Sequence, residues 1–519
     1  MQDFANLLDQ LVYTPQRNGK IRLIADYLRS ADDPDRGYAM AALCSAIKLR
    51  NVSYSAIRDM IHARTDEVLF RMSYDYVGDF AETASLLWPA SPRNSPPPPL
   101  TEVVDTLAAM TKAEAAAQVA IWLDVLDVNG RYALIKLLTG GLRVGVSARL
   151  AKVAFASAFD VSIEEVEEIW HAMEPPYTPL FDWATGKADR PDLNELPVFR
   201  PFMLANPLDD KEIDFSDYVA EWKWDGIRVQ VVRVNGETRL FSRTGDDIGG
   251  SFPDILAAFD RDGIADGELL VRSETGEPAP FNHLQQRLNR KTVSVAMRKK
   301  YPAFIRLYDI LFDGDEDVRS LDLLERKDRL RRFVMELPSE RFDVSEFLEV
   351  SDQSALEALR EEARATGMEG LMLKQKSSRY EAGRKQGLWY KWKRDPLLID
   401  TVLMYAQRGH GKRSSFYSDF TFGCWDGGVL KPVGKAYFGF TDQELKELDK
   451  WVRKHSVGRF GPVREVEKAL CLEVAFDSVH ESPRHKSGVA MRFPRVHRIR
   501  WDKPAQEADQ LQTLKALIG

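Results

Sequence analysis

A lysine set between two tryptophans is the first feature of this sequence that could do chemistry. The stretch EWKWDGIR, residues 221–228, follows Lys223 with a Trp and then an Asp-Gly pair typical of a turn. If the stretch is a strand that runs into a turn, Glu221 and Lys223 share one face and Trp222 lies on the other. The amine can then face a pocket while the tryptophans pack behind it.

A lysine amine is a nucleophile only when it is unprotonated, so its ordinary pKa of about 10.4 must effectively fall. Partial burial and neighbouring cations both act in that direction. A lysine that attacks phosphorus also needs cations to balance the phosphates and a metal to assist the leaving group. If Lys223 is such a nucleophile, the rest of the chain should supply these groups.

Two further lysines are suitably spaced to bind phosphate. In LWYKWK, residues 388–393, strand alternation places Trp389, Lys391 and Lys393 on one face, with the other aromatic residues behind. Two lysines on one strand face would clamp phosphate and would also lower the pKa of a nearby lysine. The interleaved aromatic residues make an ordinary solvated strand face a poorer interpretation.

Carboxylates and an aromatic ring supply the remaining parts. Asp266 and Glu268 share a face in DGEL, and Glu369 stands in MEGLMLK. Carboxylates at a triphosphate pocket are most simply interpreted as magnesium or ribose ligands. Tyr308 offers a face for a base, and Arg243 lies near a turn in SRTGDD.

The bulk properties predict a multidomain protein. The chain has 519 residues, a net charge of −7 and 44% hydrophobic residues. The negative charge argues against a protein that coats nucleic acid, but residues 384–394 and 484–500 are locally basic. Three separated cysteines argue against a disulfide framework or a cysteine zinc site, and favour a reducing cytosol. No signal peptide or membrane span is expected.

The spacing of apolar residues divides the chain into regions with different predicted secondary structure. Apolar residues at three- and four-residue spacings predict helices up to about residue 175, interrupted by a proline-rich loop at 91–100. Residues 174–201 are expected to be a linker, after which alternating strands begin, with a hairpin turn at Asn235-Gly236. A second boundary near 393–400 precedes short strands that suggest a small barrel.

The ordered motifs now indicate a family. KWDG resembles the adenylation motif of the covalent nucleotidyltransferases, the superfamily of DNA ligases, RNA ligases and capping enzymes. The later motifs follow in the family's order: SRTGDD, ADGELL, LYDIL, EGLMLK, WYKWK and RFPRVHRIRWDK. LIKLLTGGLRVGVS, residues 134–147, resembles the helical DNA-binding domain of larger ligases. Trp501 departs from the pattern, because many relatives carry an acidic residue there.

The chain as a whole looks like a three-domain ATP-dependent DNA ligase of the bacterial type related to archaeal and eukaryotic ligases. The resemblance implies a multidomain α+β fold: a helical DNA-binding domain with its linker (1–198), an adenylation domain with antiparallel sheets (199–398) and an OB-fold β-barrel (399–519). It also implies sealing of nicks in duplex DNA through a lysyl-AMP intermediate, with ATP and Mg²⁺.

The resemblance also implies roles for particular residues. Lys223 is the expected nucleophile, and Glu369 and Glu268 are the expected metal ligands. The expected ATP and AMP contacts are Glu221, Arg228, Arg243, Glu268, Tyr308, Lys391, Lys393, Arg492, Asp502 and Lys503. The expected DNA contacts are Lys136, Thr139, Gly141, Arg143, Arg287 and Lys486.

Other functions fit the motifs less well than an ATP-dependent DNA ligase. An RNA ligase or a GTP-using capping enzyme shares the central motifs, but neither is expected to combine the helical domain with the C-terminal motif. An NAD-dependent ligase is disfavoured because no cysteine-rich zinc finger follows, and a catalytically silent nick-binding scaffold ranks low because no motif looks degraded. A monomer in the bacterial nucleoid is expected, with DNA-repair proteins as candidate partners.

Overall fold

The structure is a computed structural model. It describes residues 1–47, 49, 53–89, 95–208, 213–288, 290, 292–363, 366–409 and 416–518, so the proline-rich stretch 91–100 lies partly outside it. The chain divides into two compact units. One unit comprises Met1–Ala154 and Asp395–Gly519, and the other comprises Phe155–Arg394. Within the described ranges, every helix is too short or too polar to cross a membrane.

Helices fill the N-terminal region, as the periodicity predicts. Side-chain oxygens cap several of them, and Thr111 and Glu114 form a reciprocal capping box at the start of one. The predicted linker 174–201 contains one short helix, whose proline lies in the first turn, where no backbone donor is lost. The helices are α1 Gln2–Tyr13, α2 Arg17–Ser30, α3 Asp35–Leu43, α4 Tyr54–His62, α5 Glu67–Val77, α6 Phe80–Leu87, α7 Leu100–Ala109, α8 Lys112–Val125, α9 Val128–Thr139, α10 Ala148–Phe159, α11 Ile163–Trp170 and α12 Thr178–Ala184.

Two sheets make up most of the second unit. The first has four strands in the order β1-β10-β9-β2; the second has the order β4-β3-β5-β6-β7, with β8 parallel to β6. The strands are β1 Asn206–Pro207, β2 Tyr218–Lys223, β3 Ile227–Val234, β4 Glu237–Ser242, β5 Gly263–Val271, β6 Ala303–Asp313, β7 Glu316–Asp317, β8 Phe342–Val344, β9 Gly370–Gln375 and β10 Trp389–Lys393. The helices are α13 Pro253–Ala258, α14 Phe281–Gln285, α15 Val295–Lys300, α16 Leu323–Val334 and α17 Gln353–Glu362.

The predicted hairpin is confirmed. β3 and β4 pair up to Val234 and Glu237, which leaves a two-residue turn between them. Both turn residues are left-handed, with φ of 51° at Asn235 and 80° at Gly236. A turn with two positive φ angles matches the twist of antiparallel strands, and Asn-Gly is the pair that adopts it most readily.

Gly370 sets the register of the four-stranded sheet. It lies opposite Lys223 on β2 and opposite Lys393 on β10. A Cβ on Gly370 would lie 2.3 Å from the carbonyl oxygen of Trp392, and its φ of 137° is one that side chains rarely adopt. Only glycine therefore lets the three strands approach at this point.

Antiparallel strands also form most of the C-terminal region. Its largest sheet has the order β13-β12-β11-β15-β14, with β16 bridging β11 and β19, and β17 pairs with β18. No pairing among the described residues closes this sheet, so the OB-fold barrel remains a prediction. The elements are β11 Leu397–Arg408, β12 Tyr417–Asp426, β13 Val429–Ala436, α18 Asp442–Lys454, β14 Ser456–Phe460, β15 Val463–Val466, β16 Cys471–Phe476, β17 Ser478–Glu481, β18 Val489–Arg492, β19 Arg495–Arg500 and α19 Leu511–Lys515.

Arg287, expected to contact DNA, lies in the core of the second unit. Its side chain has 0% exposure and forms a short, bidentate ion pair with Asp254. It also donates to the carbonyl oxygens of Ser251 and Tyr301. A buried guanidinium with these partners stabilises the fold and has its donors in use, and the expected contact of Arg287 with DNA stays a prediction.

Replacing Gly370 with alanine should destabilise the protein. The added Cβ meets backbone atoms of β10, so the strands must separate or strain. We expect the melting temperature to fall by roughly 5 °C or more. Gly367→Ala is the matched control, because Gly367 also has a positive φ but nothing lies within 4 Å of the added carbon. Equal effects of the two changes would contradict the close-approach argument.

Replacing Arg287 with methionine should also destabilise the protein. The change removes a buried cation and leaves Asp254 with a weaker balance of charge, which costs about 3 kcal/mol. Arg290→Met is the control, because Arg290 is exposed and lies three residues along the same segment. The thermal melting curves measure the difference. A residue that contacted DNA would instead change DNA affinity and leave the melting temperature unchanged.

Candidate active site

The amine of Lys223 lies against a carboxylate at the end of β2. Its Nζ donates a short hydrogen bond to Glu369 Oε2, and Lys393 Nζ lies 3.5 Å from the same oxygen. The side chains of Lys223 and Glu369 are 22% and 20% exposed, so both remain open to a ligand. The backbone amide of Glu369 also donates to the carbonyl of Lys223, which fixes the two residues relative to each other.

The tryptophans do not enclose the amine. Trp222 and Trp392 pack with Leu371 in a cluster on the opposite face of the sheet, which confirms the predicted alternation. Trp224 leaves the strand, and its indole N–H donates to Ser345 Oγ at 3.0 Å. The apolar frame thus supports the strand end from behind and leaves one side of Lys223 accessible.

Glu268 brings a second carboxylate to the amine. Burial raises the pKa of Glu268 to about 7; the charge of Glu369 adds to the rise, and that of Lys223 opposes it. Gly226 allows this approach, since a Cβ there would lie 2.8 Å from Glu268 Cγ. Glu268, Glu369 and Lys223 are therefore coupled electrostatically, although they lie far apart in the chain.

Two carboxylates are a suitable donor set for magnesium. Among the described residues, no three His, Cys, Asp or Glu side chains are placed together to hold a metal. Mg²⁺ in nucleotide sites takes one or two carboxylates and completes its shell with phosphate oxygens and water. The raised pKa of Glu268 also fits a position where a cation would favour the ionised form.

A cluster of cations surrounds Lys391. Burial lowers the pKa of Lys391, and the charges of Arg384, Lys393, Lys223 and Arg243 lower it further. These five side chains come from three parts of the chain, the stretch 384–394 and the segments around Lys223 and Arg243, and their combined positive charge suits phosphate. Arg384 was not predicted as a site residue, although it begins the basic stretch 384–394.

A buried polar network lies behind Arg228. Its guanidinium stacks 4.0 Å from the ring centroid of Phe202 and lies 3.3 Å from Asp266. Asp266 is fully buried and also accepts hydrogen bonds from Tyr380 Oη at 2.5 Å and Gln230 Nε2 at 2.9 Å. Asp266, whose role the sequence left open, therefore positions Arg228. Sequence reasoning missed Tyr380, which has no motif spacing of its own.

Glu221 is more buried than a contact residue for ATP needs to be. It is 2% exposed, and its Oε1 accepts hydrogen bonds from Lys327 at 3.0 Å and Lys374 at 2.9 Å. The ring of Tyr308 lies close by, with Lys374 Nζ 4.6 Å from its centroid and Trp389 edge-on at 6.4 Å. The sequence did not single out Lys327, which lies on a charged helix with no motif around it.

The predicted C-terminal contacts lie on exposed strands and loops of the other unit. Arg500 donates to Asp502, a bond that lowers the pKa of Asp502 to about 2, and Lys503 binds Asp400 at 2.7 Å. Lys486 is exposed in a loop, and the guanidinium of Arg492 lies over Phe493 at 5.4 Å. These residues are available at the surface of their own unit.

Lys136 is buried. It is 7% exposed and forms an ion pair of 2.5 Å with Asp79 inside the helical region. The ion pair and the burial hold its ammonium away from solvent, and its expected contact with DNA stays a prediction. Ala133, Leu134 and Ile135 are also buried, so this part of α9 faces the interior of the helical region.

The loop after α9 is exposed and shaped by backbone geometry. Thr139 and Arg143 are exposed, Gly140 and Arg143 have positive φ angles of 75° and 50°, and Gly141 follows the helix end. Buried Lys20 holds the loop by donating to the carbonyl oxygens of residues 144 and 145 at 2.6 and 3.0 Å. A loop held in this way can present backbone amides and Arg143 to a phosphate backbone.

Comparison with known proteins agrees with this site. Residues 202–393 match the ATP dependent DNA ligase domain, and residues 413–503 match the ATP dependent DNA ligase C terminal region. The chain is 31% identical to a probable DNA ligase of Koribacter versatilis, over 99% of this chain and 95% of that protein. It is 27% identical to a DNA ligase of Thermococcus fumicolans, over 100% and 98% of the two chains.

The fold is also that of a solved protein. The structure named Pmar-Lig_Pre has a TM-score of 0.62 and 17% identity, and the match covers 96% of this chain and 99% of that chain. The family matches select a DNA ligase from the alternatives that share the KWDG motif. This chain belongs to the ATP-dependent DNA ligases, the enzymes that seal nicks in DNA.

Proposed function

We propose that Lys223 is the nucleophile of this ligase. The observation that supports the proposal is the amine at the end of β2, held by Glu369 and flanked by Lys393. Unprotonated Nζ attacks the α-phosphorus of ATP; an N–P bond forms and the bond to pyrophosphate breaks. AMP then passes to the 5′-phosphate of the nick, and the 3′-hydroxyl attacks that phosphate and releases AMP.

The cations around Lys391 bind the phosphates in this proposal. Lys391 and Lys393 balance phosphate charge while Arg243 and Arg384 approach from neighbouring segments. Glu369 and Glu268 would hold Mg²⁺, which neutralises charge on the phosphates when bound. Glu369 also orients the amine of Lys223, because its carboxylate accepts a hydrogen bond from Nζ in the free enzyme.

The nucleoside of ATP binds to a second group of residues in the same unit. Tyr308 stacks on adenine, Glu221 reads the base, and Arg228 and Glu268 contact the ribose and phosphate. Arg228 suits this role because Asp266 and Phe202 hold its guanidinium in one orientation. These positions are divided between the two sheets, because Glu221 lies on β2 whereas Arg228, Glu268 and Tyr308 lie on β3, β5 and β6.

The remaining regions act on DNA and on the leaving group. We propose three domains, at 1–198, 199–398 and 399–519, the last an OB-fold barrel whose Arg492, Asp502 and Lys503 approach pyrophosphate during the first step. Duplex DNA is encircled, and its backbone contacts Thr139, Gly141, Arg143 and Lys486. Because such contacts are mainly to phosphate, binding should weaken steeply as salt rises and should depend little on sequence.

Lys223→Ala should abolish the covalent intermediate. Wild-type protein incubated with α-labelled ATP and magnesium should retain label on a denaturing gel, and the variant should retain none because the attacking nitrogen is absent. Lys376→Ala is the control, since that lysine is exposed and donates only to a backbone carbonyl. Equal labelling of Lys223→Ala and wild type would refute the assignment of the nucleophile, whereas label retained from GTP but not from ATP would contradict an ATP-dependent ligase.

Glu369→Gln should raise the magnesium requirement of the first step. Loss of one carboxylate weakens the metal site and frees the amine, so labelling at limiting Mg²⁺ should slow by about 100-fold. Excess Mg²⁺ should restore part of the rate. Glu381→Gln is the control, because Glu381 is an exposed acid of the same unit. A metal titration with the same midpoint in wild type and Glu369→Gln would contradict the role.

A further inference from the structure

A buried lysine that no motif includes holds the carboxylate of Glu221. Lys327, on α16, is 1% exposed and donates to Glu221 Oε1 at 3.0 Å. Lys374, on β9, donates to the same oxygen at 2.9 Å. Two ammonium groups thus hold one oxygen of the carboxylate in place through charge-assisted hydrogen bonds.

All three N–H donors of the Lys327 ammonium form hydrogen bonds, which fix its position. Its remaining two N–H groups bind the carbonyl oxygens of Tyr308 at 3.0 Å and Ser345 at 2.8 Å. A lysine ammonium has three donors, so Lys327 joins three elements and has no rotational freedom left. One of those carbonyls belongs to Tyr308, and Ser345 in turn accepts the indole N–H of Trp224.

The two lysines are not equivalent. Burial lowers the pKa of Lys374 to about 8 although the charge of Glu221 opposes the fall, and the charge of Lys327 lowers it further. Lys374 also lies among rings, 4.5 Å from the centroid of Trp389 and 4.6 Å from that of Tyr308. Among the described contacts of the two lysines, only Lys327 also donates to backbone carbonyl oxygens. Lys327 is therefore the more firmly held counter-ion of Glu221.

The arrangement leaves one oxygen of Glu221 for a ligand. Both lysines bind Oε1, and no described residue donates to Oε2. An ionised carboxylate can only accept hydrogen bonds. It would bind the 6-amino group of adenine and would repel the 6-carbonyl oxygen of guanine or hypoxanthine. A carboxylate that turned away from this orientation would lose the discrimination, because Oε2 would no longer face the 6-position of the base.

We propose that Lys327 is a positioning residue that sets the selectivity of this ligase for the 6-aminopurine base, by holding the carboxylate of Glu221 in one orientation. The inference rests on the proposed role of Glu221 as the residue that reads the base. A purely structural lysine would stabilise the fold equally for every nucleotide, so selectivity and stability can be measured separately.

The test compares the first step with ATP and with inosine triphosphate. Self-labelling of the full-length protein gives kcat/KM for each nucleotide, and their ratio is the readout. Lys327→Met should lower the ratio of ATP to inosine triphosphate by about 10-fold, mainly through a higher KM for ATP. Lys327→Arg, which keeps the charge, should retain most of the ratio.

Arg326→Met is the matched control. Arg326 precedes Lys327 on the same helix, is equally buried and pairs with Asp309 at 2.8 Å, but it does not touch Glu221. It should lower the melting temperature and leave the ratio within twofold of wild type. If Lys327→Met does not fold, Lys327→Gln, which keeps two donors but no charge, is measured instead and should show the same direction of change.

Two outcomes distinguish a failure of the inference about Lys327 from a failure of the proposed role of Glu221. If Lys327→Met or Lys327→Gln lowers activity with both nucleotides equally, Lys327 is structural and the inference is overturned. Glu221→Gln tests the underlying role, because its amide can donate to a 6-carbonyl and should lower the ratio as well. If Glu221→Gln keeps the wild-type ratio, Glu221 does not read the base, and the proposed function is wrong at that residue.

Discussion

The approach of three strands at Gly370 is the constraint on which the active site depends. Because Gly370 has no side chain, β2 and β10 both pair with β9 at that point, and Lys223 and Lys393 lie on either side of it. Glu369, one residue earlier, then contacts both amines. The proposed nucleophile, a lysine proposed to bind phosphate and a carboxylate thus meet through backbone pairing, without any direct sequence proximity.

Buried charges behind the sheets are paired, and two of them hold residues of the proposed site in position. Asp309 and Arg326 form a bidentate pair with distances of 2.8 and 3.0 Å, and neither is exposed by more than 1%. Asp266 likewise forms an ion pair with Arg228, and Lys327 forms one with Glu221. Such pairs add little net stability compared with apolar side chains, but an unpaired member would be costly. Their consequence is orientation, which a phosphoryl-transfer site requires of each group that touches the substrate.

Local pattern predicted the elements that depend on local forces. The Asn235-Gly236 turn, the N-terminal helices and the opposite faces of Trp222 and Lys223 all follow from backbone preferences and side-chain alternation. Burial was harder to predict. Lys136 and Arg287 carry long cationic side chains, a residue type typical of a surface, yet each is enclosed with a carboxylate. Their partners lie 57 and 33 residues away, at separations that no local pattern reveals.

The sequence by itself determined the reaction class, because the ordered motifs around KWDG name the groups that the chemistry requires. It also determined which face of each strand carries those groups, since alternation is a property of the extended backbone. Only the tertiary structure decided which charges remain exposed and which are paired inside. It placed Asp266 behind Arg228 and Lys327 behind Glu221. These contacts join strands and helices that are distant in the chain, and the burial that makes them strong exists only once the sheets have packed.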